Sequence, residues 1–219
     1  MAYRTLKAAI RAHNAESGSI VILDVQTGEV LAIVNQPTYN PNDRAQYSAE
    51  RYRNRAITDI FEPGSSIKPL VVAAALESGG YRPSSIVDTA PGYVIVGPKT
   101  IEDSRNLGRI SLTTILARSS NVGITKLAMT LQPDQLWETM THFGLGELTS
   151  SGFPGESAGL LTHYSNWRPI SQATLAYGYG VSVTPLQTAR GIQNKILEAM
   201  ASGLAVVASQ PALEGLGVA

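Results

Sequence analysis

The stretch Phe61-Glu62-Pro63-Gly64-Ser65-Ser66-Ile67-Lys68-Pro69 decides how this sequence is interpreted. Apolar residues at helical spacing continue beyond it, so we predict a helix from Ser65 to Glu77. Ser65 then lies near the positive end of the helix dipole, and Lys68 shares its face because it follows three residues later. The pattern is typical of a serine nucleophile whose base is a lysine made neutral by burial. A chain of this length also contains on the order of one Ser-x-x-Lys by chance.

A second segment, Ser119-Ser120-Asn121, falls between predicted helices over 112–118 and 122–131. A loop at this place can direct side chains into a cleft, where Ser119 would pass protons between the lysine and a leaving group. Asn121 would donate hydrogen bonds to a substrate amide. The alternative is a purely structural helix cap, because Ser and Asn are favoured capping residues.

The remaining pattern predicts an α+β domain. Two β-branched runs, 19–25 and 29–34, flank Gln26-Thr27-Gly28 and predict a hairpin. The polar stretch 35–55 predicts a long surface loop. Helical spacing predicts three further helices, at 3–14, 134–142 and 170–177.

Composition excludes several classes of function. The 219 residues include 17 Lys and Arg and 17 Asp and Glu, so we expect no nucleic-acid partner, which would need a basic face. Cysteine is absent, which excludes thiol nucleophiles, thiolate metal sites and disulfides. We expect surface or helix-end roles for the three histidines, and we interpret Glu102 and Asp103 as ordinary solvated charges.

Five blocks that follow one another in order resemble a known family. They are Gly28 to Asn35, Phe61 to Pro69, Arg118 to Gly123, Phe143 to Gly146, and Tyr177 to Gln187. Together they are similar to the transpeptidase domain of class B penicillin-binding proteins, of the type that cross-links septal peptidoglycan during cell division. The resemblance implies the α+β fold shared by penicillin-binding proteins and β-lactamases, with an incomplete central antiparallel sheet packed by helices.

The same resemblance implies a site and a substrate. The implied site residues form two groups: catalytic Ser65, Lys68 and Ser119, and substrate-binding Asn121, Tyr177 and Tyr179. The two tyrosines would lie near the substrate cleft, although core packing is an equal alternative for Tyr177. The implied substrate is a peptidoglycan stem peptide ending in D-Ala-D-Ala, which β-lactams mimic, and no metal or organic cofactor is needed. Division-complex membrane proteins would be partners, at the periplasmic face of the cytoplasmic membrane.

One element of the family pattern is missing. A Lys-Thr-Gly motif should follow the Tyr177 to Gln187 block, but the sequence contains none. Pro98-Lys99-Thr100-Ile101 precedes the second motif and has Ile in place of Gly, so we predict a surface loop there. We therefore expect a transpeptidase domain truncated before its third motif and impaired in activity.

The sequence after Gln187 differs in character from the preceding part. Residues 188–219 resemble a helix and strand from the donor-binding half of GT-B glycosyltransferases, with Glu198 at the position that contacts the sugar nucleotide. We therefore predict a partial transpeptidase domain over 1–187 and a foreign tail over 188–219. Two alternatives to a transpeptidase remain: a D,D-carboxypeptidase or β-lactamase-like hydrolase, and a non-catalytic remnant that binds penicillin or a partner.

Overall fold

The computed structural model describes residues 1–24, 26–43, 45 and 48–190. The α-helices of this part include α1 (Ala2–Ala12), α2 (Ala49–Tyr52), α3 (Arg55–Thr58), α4 (Lys68–Glu77), α5 (Leu112–Ala117), α6 (Asn121–Ala128), α7 (Pro133–His142) and α8 (Pro169–Leu175). The strands are β1 (Gly18–Leu23), β2 (Val30–Gln36), β3 (Ile86–Asp88), β4 (Tyr93–Val96), β5 (Lys99–Glu102), β6 (Arg109–Ser111), β7 (Leu160–Leu161) and β8 (Val181–Ser182). The α+β prediction is confirmed.

The described chain forms two compact units. The first contains residues 1–63, 141–162 and 181–190, and the second contains 64–140 and 163–180. No helix within the described ranges is long and apolar enough to cross a membrane.

The first unit is built on the predicted hairpin. Strands β1 and β2 pair antiparallel from Gly18 opposite Gln36 to Leu23 opposite Val30. The Asp24 carboxylate accepts hydrogen bonds from the next turn's backbone N–H groups, at residues 26 and 27. Asn35 ties β2 to α3, because its side-chain oxygen accepts from the Ala56 N–H at 2.9 Å. The predicted loop over 35–55 is wrong at 35–36, 49–52 and 55, which belong to β2, α2 and α3.

The second unit packs the apolar helix α4 against α5 and α6, and α8 packs against α6. Helix α4 contributes Val71 and Ala75, which are completely buried, and α6 contributes Val122 and Ile124. Two short antiparallel pairs, β3 with β6 and β4 with β5, complete this unit. The sequence pattern did not predict these strands, because runs of three or four residues are too short to show a period.

The tail prediction is not decided by the structure. Of residues 188–219, only 188–190 are described. The proposed junction and the glycosyltransferase-like segment, including Glu198, otherwise lie outside the described residues.

Candidate active site

The turn that carries Ser65 leads directly into a buried helix. Residues Gly64–Ile67 form a short 3-10 helix, and α4 starts at Lys68 rather than at Ser65 as predicted. Pro69 falls in the first turn of α4, where the missing N–H leaves no helical hydrogen bond broken. Ile67 is 1% exposed and anchors the turn, whereas Ser65 faces solvent. The local sequence therefore buries one side of the turn and leaves the hydroxyl accessible.

Lys68 is buried, and its ammonium contacts the second motif. Its side chain is 1% exposed. Its Nζ donates to the Ser119 carbonyl at 2.6 Å, to the Ser119 Oγ at 2.9 Å and to the Asn121 Oδ1 at 2.7 Å. A protonated lysine has three N–H donors, so these bonds satisfy all of them. The structure thus brings together Lys68, Ser119 and Asn121, three of the residues selected from the sequence.

Burial makes the neutral form of this lysine accessible. Desolvation lowers the pKa of Lys68 from 10.5 to about 8, although the negative charge of Asp103 acts in the opposite direction. At neutral pH the neutral fraction is then about 300 times larger than at the ordinary pKa. This is the property that the sequence argument required of a lysine base.

The residues of the second motif have two different roles. Ser120 caps α6, since its Oγ accepts from the Gly123 N–H at 2.8 Å. Ser119 has a φ of +52°, a left-handed conformation that few non-glycine residues adopt. This conformation is compatible with its carbonyl and hydroxyl both contacting Lys68. The capping interpretation is therefore correct for Ser120, while Ser119 and Asn121 face the lysine.

Asp103 belongs to this site, so its interpretation as a solvated charge is wrong. Its Oδ2 accepts from the Ser120 Oγ at 2.6 Å, and its Oδ1 accepts from the backbone N–H groups of Asn121 at 2.6 Å and Val122 at 3.1 Å. The free N–H groups at a helix start need acceptors, and a carboxylate suits their partial positive charge. The sequence shows that α6 needs such an acceptor but not that residue 103, far away along the chain, supplies it. Glu102 next to it is exposed.

Ser65 lies where two cavities meet. One cavity, of about 380 Å³, is lined by Ser65 and Asn121 together with Gly64, Lys99, Thr174, Tyr177 and Tyr179. The other, of about 440 Å³, is lined by the same serine and asparagine together with Asp103, Ser104, Arg105, Leu107, Arg118 and Ser119. All six site residues predicted from the sequence therefore surround the same region, five of them as cavity lining and Lys68 as the buried contact.

The two tyrosines differ in environment. Their ring centroids are 5.5 Å apart with an edge-on geometry. Tyr177 packs against the buried cluster of Val96, Ile101 and Ala173, and burial raises the pKa of its phenol. Tyr179 is 52% exposed. Tyr177 thus serves both the core and the cavity, while Tyr179 contributes mainly to the cavity.

Residues 99–102 form a strand, so the predicted surface loop is wrong. Strand β5 pairs with β4 from Lys99 opposite Val96 to Glu102 opposite Tyr93. Ile101 is 4% exposed and supplies the apolar contact that fixes the hairpin. Lys99 is exposed at the start of the strand and lines the 380 Å³ cavity.

The histidines do not form a cluster in the part of the chain that the structure describes, and no group of three potential metal ligands occurs there. His163 instead lies against Trp137 and Tyr164, with ring centroids 4.8 Å and 4.3 Å away.

Comparison with known proteins assigns the family. The model of the penicillin binding protein transpeptidase domain matches residues 18–199. The chain belongs to this family. The peptidoglycan D,D-transpeptidase FtsI of Escherichia coli K12 is 47% identical over 190 residues, which cover 87% of this chain and 32% of that protein. The probable peptidoglycan D,D-transpeptidase PenA of Neisseria flavescens is 44% identical over 190 residues, covering 87% of this chain and 47% of PenA.

A solved structure shows the same similarity for the fold. The transpeptidase domain of Burkholderia pseudomallei penicillin-binding protein 3 superimposes with a TM-score of 0.78 and 41% sequence identity, over 87% of this chain and 53% of that chain. The chain thus spans about a third to a half of the length of these three relatives. The resemblance to penicillin-binding proteins that the five sequence blocks predicted is confirmed at the level of the family.

Proposed function

We propose that this chain carries the acylation site of a peptidoglycan D,D-transpeptidase. The observation that carries the proposal is the environment of Lys68, which follows Ser65 by one helical turn. Its buried ammonium contacts the Ser119 Oγ and the Asn121 Oδ1. The family and the names of the relatives support the reaction class. The proposed substrate is a stem peptide ending in D-Ala-D-Ala.

In the proposed first step, the Ser65 Oγ attacks the penultimate carbonyl while neutral Lys68 takes the hydroxyl proton. The peptide C–N bond then breaks, D-alanine leaves with a proton on its amine, and an ester to Ser65 remains. An amine of a second stem peptide then attacks the carbonyl carbon of that ester. The new amide bond is the cross-link, the ester C–O bond breaks, and the proton that the amine loses goes to the Ser65 oxygen. A D,D-carboxypeptidase would use water in this second step.

Ser119 is suited to pass the proton in this scheme. Of the three groups that accept from Lys68, a carbonyl and an amide oxygen can only accept, whereas the Ser119 hydroxyl can also donate. When Lys68 is neutral, the 2.9 Å contact can therefore reverse its direction. We propose that Ser119 delivers the proton to the leaving amine and that Asn121, Tyr177 and Tyr179 hold the substrate.

The missing Lys-Thr-Gly motif favours a second candidate, a penicillin-binding remnant with little turnover. In the family, the strand that carries the Lys-Thr-Gly motif supplies one of the two N–H groups of the oxyanion hole. The loss of one such donor lowers the rate by about 100- to 1000-fold. We therefore expect acylation of this chain to be slow. The glycosyltransferase-like tail over 188–219 remains part of the proposal, as a foreign segment without an activity of its own.

The further proposals concern the setting of the domain. We propose a role in septal peptidoglycan synthesis with division-complex membrane proteins as partners, at the periplasmic face of the cytoplasmic membrane. The name of the Escherichia coli relative supports the peptidoglycan transpeptidase part of this proposal. β-Lactams, which mimic D-Ala-D-Ala, would acylate Ser65.

Labelling with a fluorescent penicillin tests the function. We expect slow covalent labelling that Ser65→Ala abolishes and that the matched control Ser66→Ala, one residue away in the same turn, retains. Mass spectrometry of a tryptic digest should locate the adduct on Ser65. An adduct on another residue, or labelling that persists in Ser65→Ala, would contradict the assignment of the nucleophile. No labelling in any variant, at any exposure time, would favour the inert remnant.

A further inference from the structure

Asp103 connects the β4–β5 hairpin to the first turn of α6. The acid follows β5 directly, and its backbone N–H donates to the Gly92 carbonyl at 3.0 Å. Its carboxylate accepts hydrogen bonds from the first two backbone N–H groups of α6, those of Asn121 and Val122. The Ser120 Oγ accepts a hydrogen bond from the third N–H group, that of Gly123. The two acceptors are bonded to each other through the 2.6 Å contact between the Ser120 Oγ and the Asp103 carboxylate.

This arrangement holds a strained residue in place. Ser119 lies in the left-handed region at φ +52°, and such conformations persist only where surrounding contacts determine them. Asp103 supplies contacts to the three residues that follow Ser119, and Lys68 contacts Ser119 itself. Without the carboxylate, the start of α6 would have two N–H groups without this acceptor, and the loop could relax away from Lys68.

Asp103 is also the one acidic side chain among the residues described as lining the two cavities. The charged and titratable groups that share the cavities with it are Lys99, Arg105, Arg118, Tyr177 and Tyr179. Asp103 is the charge in this lining that acts on the pKa of Lys68, and it favours the ammonium form.

We propose that Asp103 is a positioning residue of the acylation site, which holds the Ser119–Asn121 loop against Lys68 and balances the charge of the lysine. The proposal rests on the proposed function, in which Lys68 acts as the base. Asp103 acts through the loop and through space, because the contacts of Lys68 Nζ go to Ser119 and Asn121.

The test is the pH dependence of acylation by fluorescent penicillin in three variants of this chain. In Asp103→Asn we expect the midpoint of the rate profile to move to lower pH, because the charge that opposes the effect of burial on Lys68 is gone. We also expect the limiting rate to fall by about tenfold, because the loop is held less firmly. The matched control Glu102→Gln removes an exposed charge one residue away and should leave both quantities unchanged.

The third variant, Ser120→Ala, separates the two effects. It removes the bond to Asp103 and the cap bond from the Gly123 N–H without changing any charge, so we expect a lower limiting rate at an unchanged midpoint. It also keeps the test open if Asp103→Asn does not fold, which circular dichroism would show. An unchanged midpoint in folded Asp103→Asn, or an unchanged limiting rate in folded Ser120→Ala, would overturn the proposal.

A second measurement does not depend on acylation. Carbon NMR of the lysine Cε groups gives the pKa of Lys68, whose signal is assigned by its disappearance in Lys68→Met. A lower pKa in Asp103→Asn than in Glu102→Gln supports the charge-balancing role even when no variant reacts with penicillin. Equal values in the two variants would refute that role, whatever the outcome for the proposed function.

Discussion

The contact between Gly178 and Gly64 yields the sharpest test of how the Ser65 turn is positioned. The Gly178 backbone has a φ of +88°, and its carbonyl accepts from the Gly64 N–H at 3.2 Å. A Cβ added at Gly178 would lie 2.0 Å from the Gly64 carbonyl oxygen and 2.5 Å from the Gly64 Cα. Because these are backbone atoms, no side-chain rotation can relieve the overlap. We expect Gly178→Ala to displace the residue that directly precedes Ser65.

Gly180 provides the matched control. Its φ is +80°, but a Cβ there meets no atom within 4 Å. Alanine at either position has the left-handed backbone penalty of about 1–2 kcal/mol. Only Gly178→Ala adds the overlap, for which forced repacking indicates about 1–3 kcal/mol more. For a chain of this size, 1 kcal/mol corresponds to about 2–4 °C in melting temperature.

Thermal unfolding followed by circular dichroism, together with the rate of penicillin labelling, measures both consequences. We expect Gly178→Ala to melt about 2–12 °C below Gly180→Ala. A shift of the nucleophile by about 1 Å can slow a reaction by about 100-fold, so labelling should also be slower in Gly178→Ala. Equal melting temperatures and equal labelling rates in the two variants would refute the argument that this backbone contact positions Ser65.

The remaining predictions concern the lysine, the strained serine and a buried amide. Below pH 8, Lys68 is protonated in both the folded and the unfolded chain. Between pH 8 and 10.5 the unfolded chain binds more protons than the folded chain. The unfolding free energy of the wild type should therefore rise with pH in this range, relative to that of Lys68→Met. Chemical denaturation at several pH values should show a rise of at most about 3 kcal/mol, reduced by solvent screening, and a fall would contradict the lowered pKa. Ser119→Gly should be about 1 kcal/mol more stable in urea than Ser119→Ala, because glycine adopts a positive φ without strain. Both variants lack the hydroxyl that passes the proton, so both should react with penicillin about 100-fold more slowly than the wild type. Gln172→Leu should lose about 2–4 kcal/mol of unfolding free energy, because the Gln172 amide donates to the carbonyls of Ala128 and Leu131. Unchanged stability in urea would show that water takes the place of the amide as donor to these carbonyls.

The predictable part of the fold consists of elements with their own periodicity. The first hairpin and the helices at α4 and α7 have apolar residues at recurring spacing, which a single sequence shows directly. Strands β4 and β5 do not, because four residues that pair around Gly97 have no measurable period. Their position depends on Ile101 entering the core, which is a tertiary contact.

The candidate site divides in the same way. Ser65 and Lys68 are related by local spacing, so a helix alone brings them near each other. The contact of Lys68 with Ser119 and Asn121 spans more than fifty residues, and the sequence suggests it only through the loop position of residues 119–121 and the resemblance to a family. The role of Asp103 cannot be predicted from the sequence, because nothing in the neighbouring residues distinguishes it from the exposed Glu102.

The alternating roles within residues 119–121 limit how this lysine environment could be transplanted into another scaffold. Ser120 caps the start of α6, while Ser119 and Asn121 accept hydrogen bonds from the Lys68 amine. A graft that copied only the outer pair would omit the bonds that hold the tripeptide in its unusual backbone shape. A designer would have to transfer Asp103 and the opening turn of α6 as one unit with the lysine, although these parts come from separate regions of the chain.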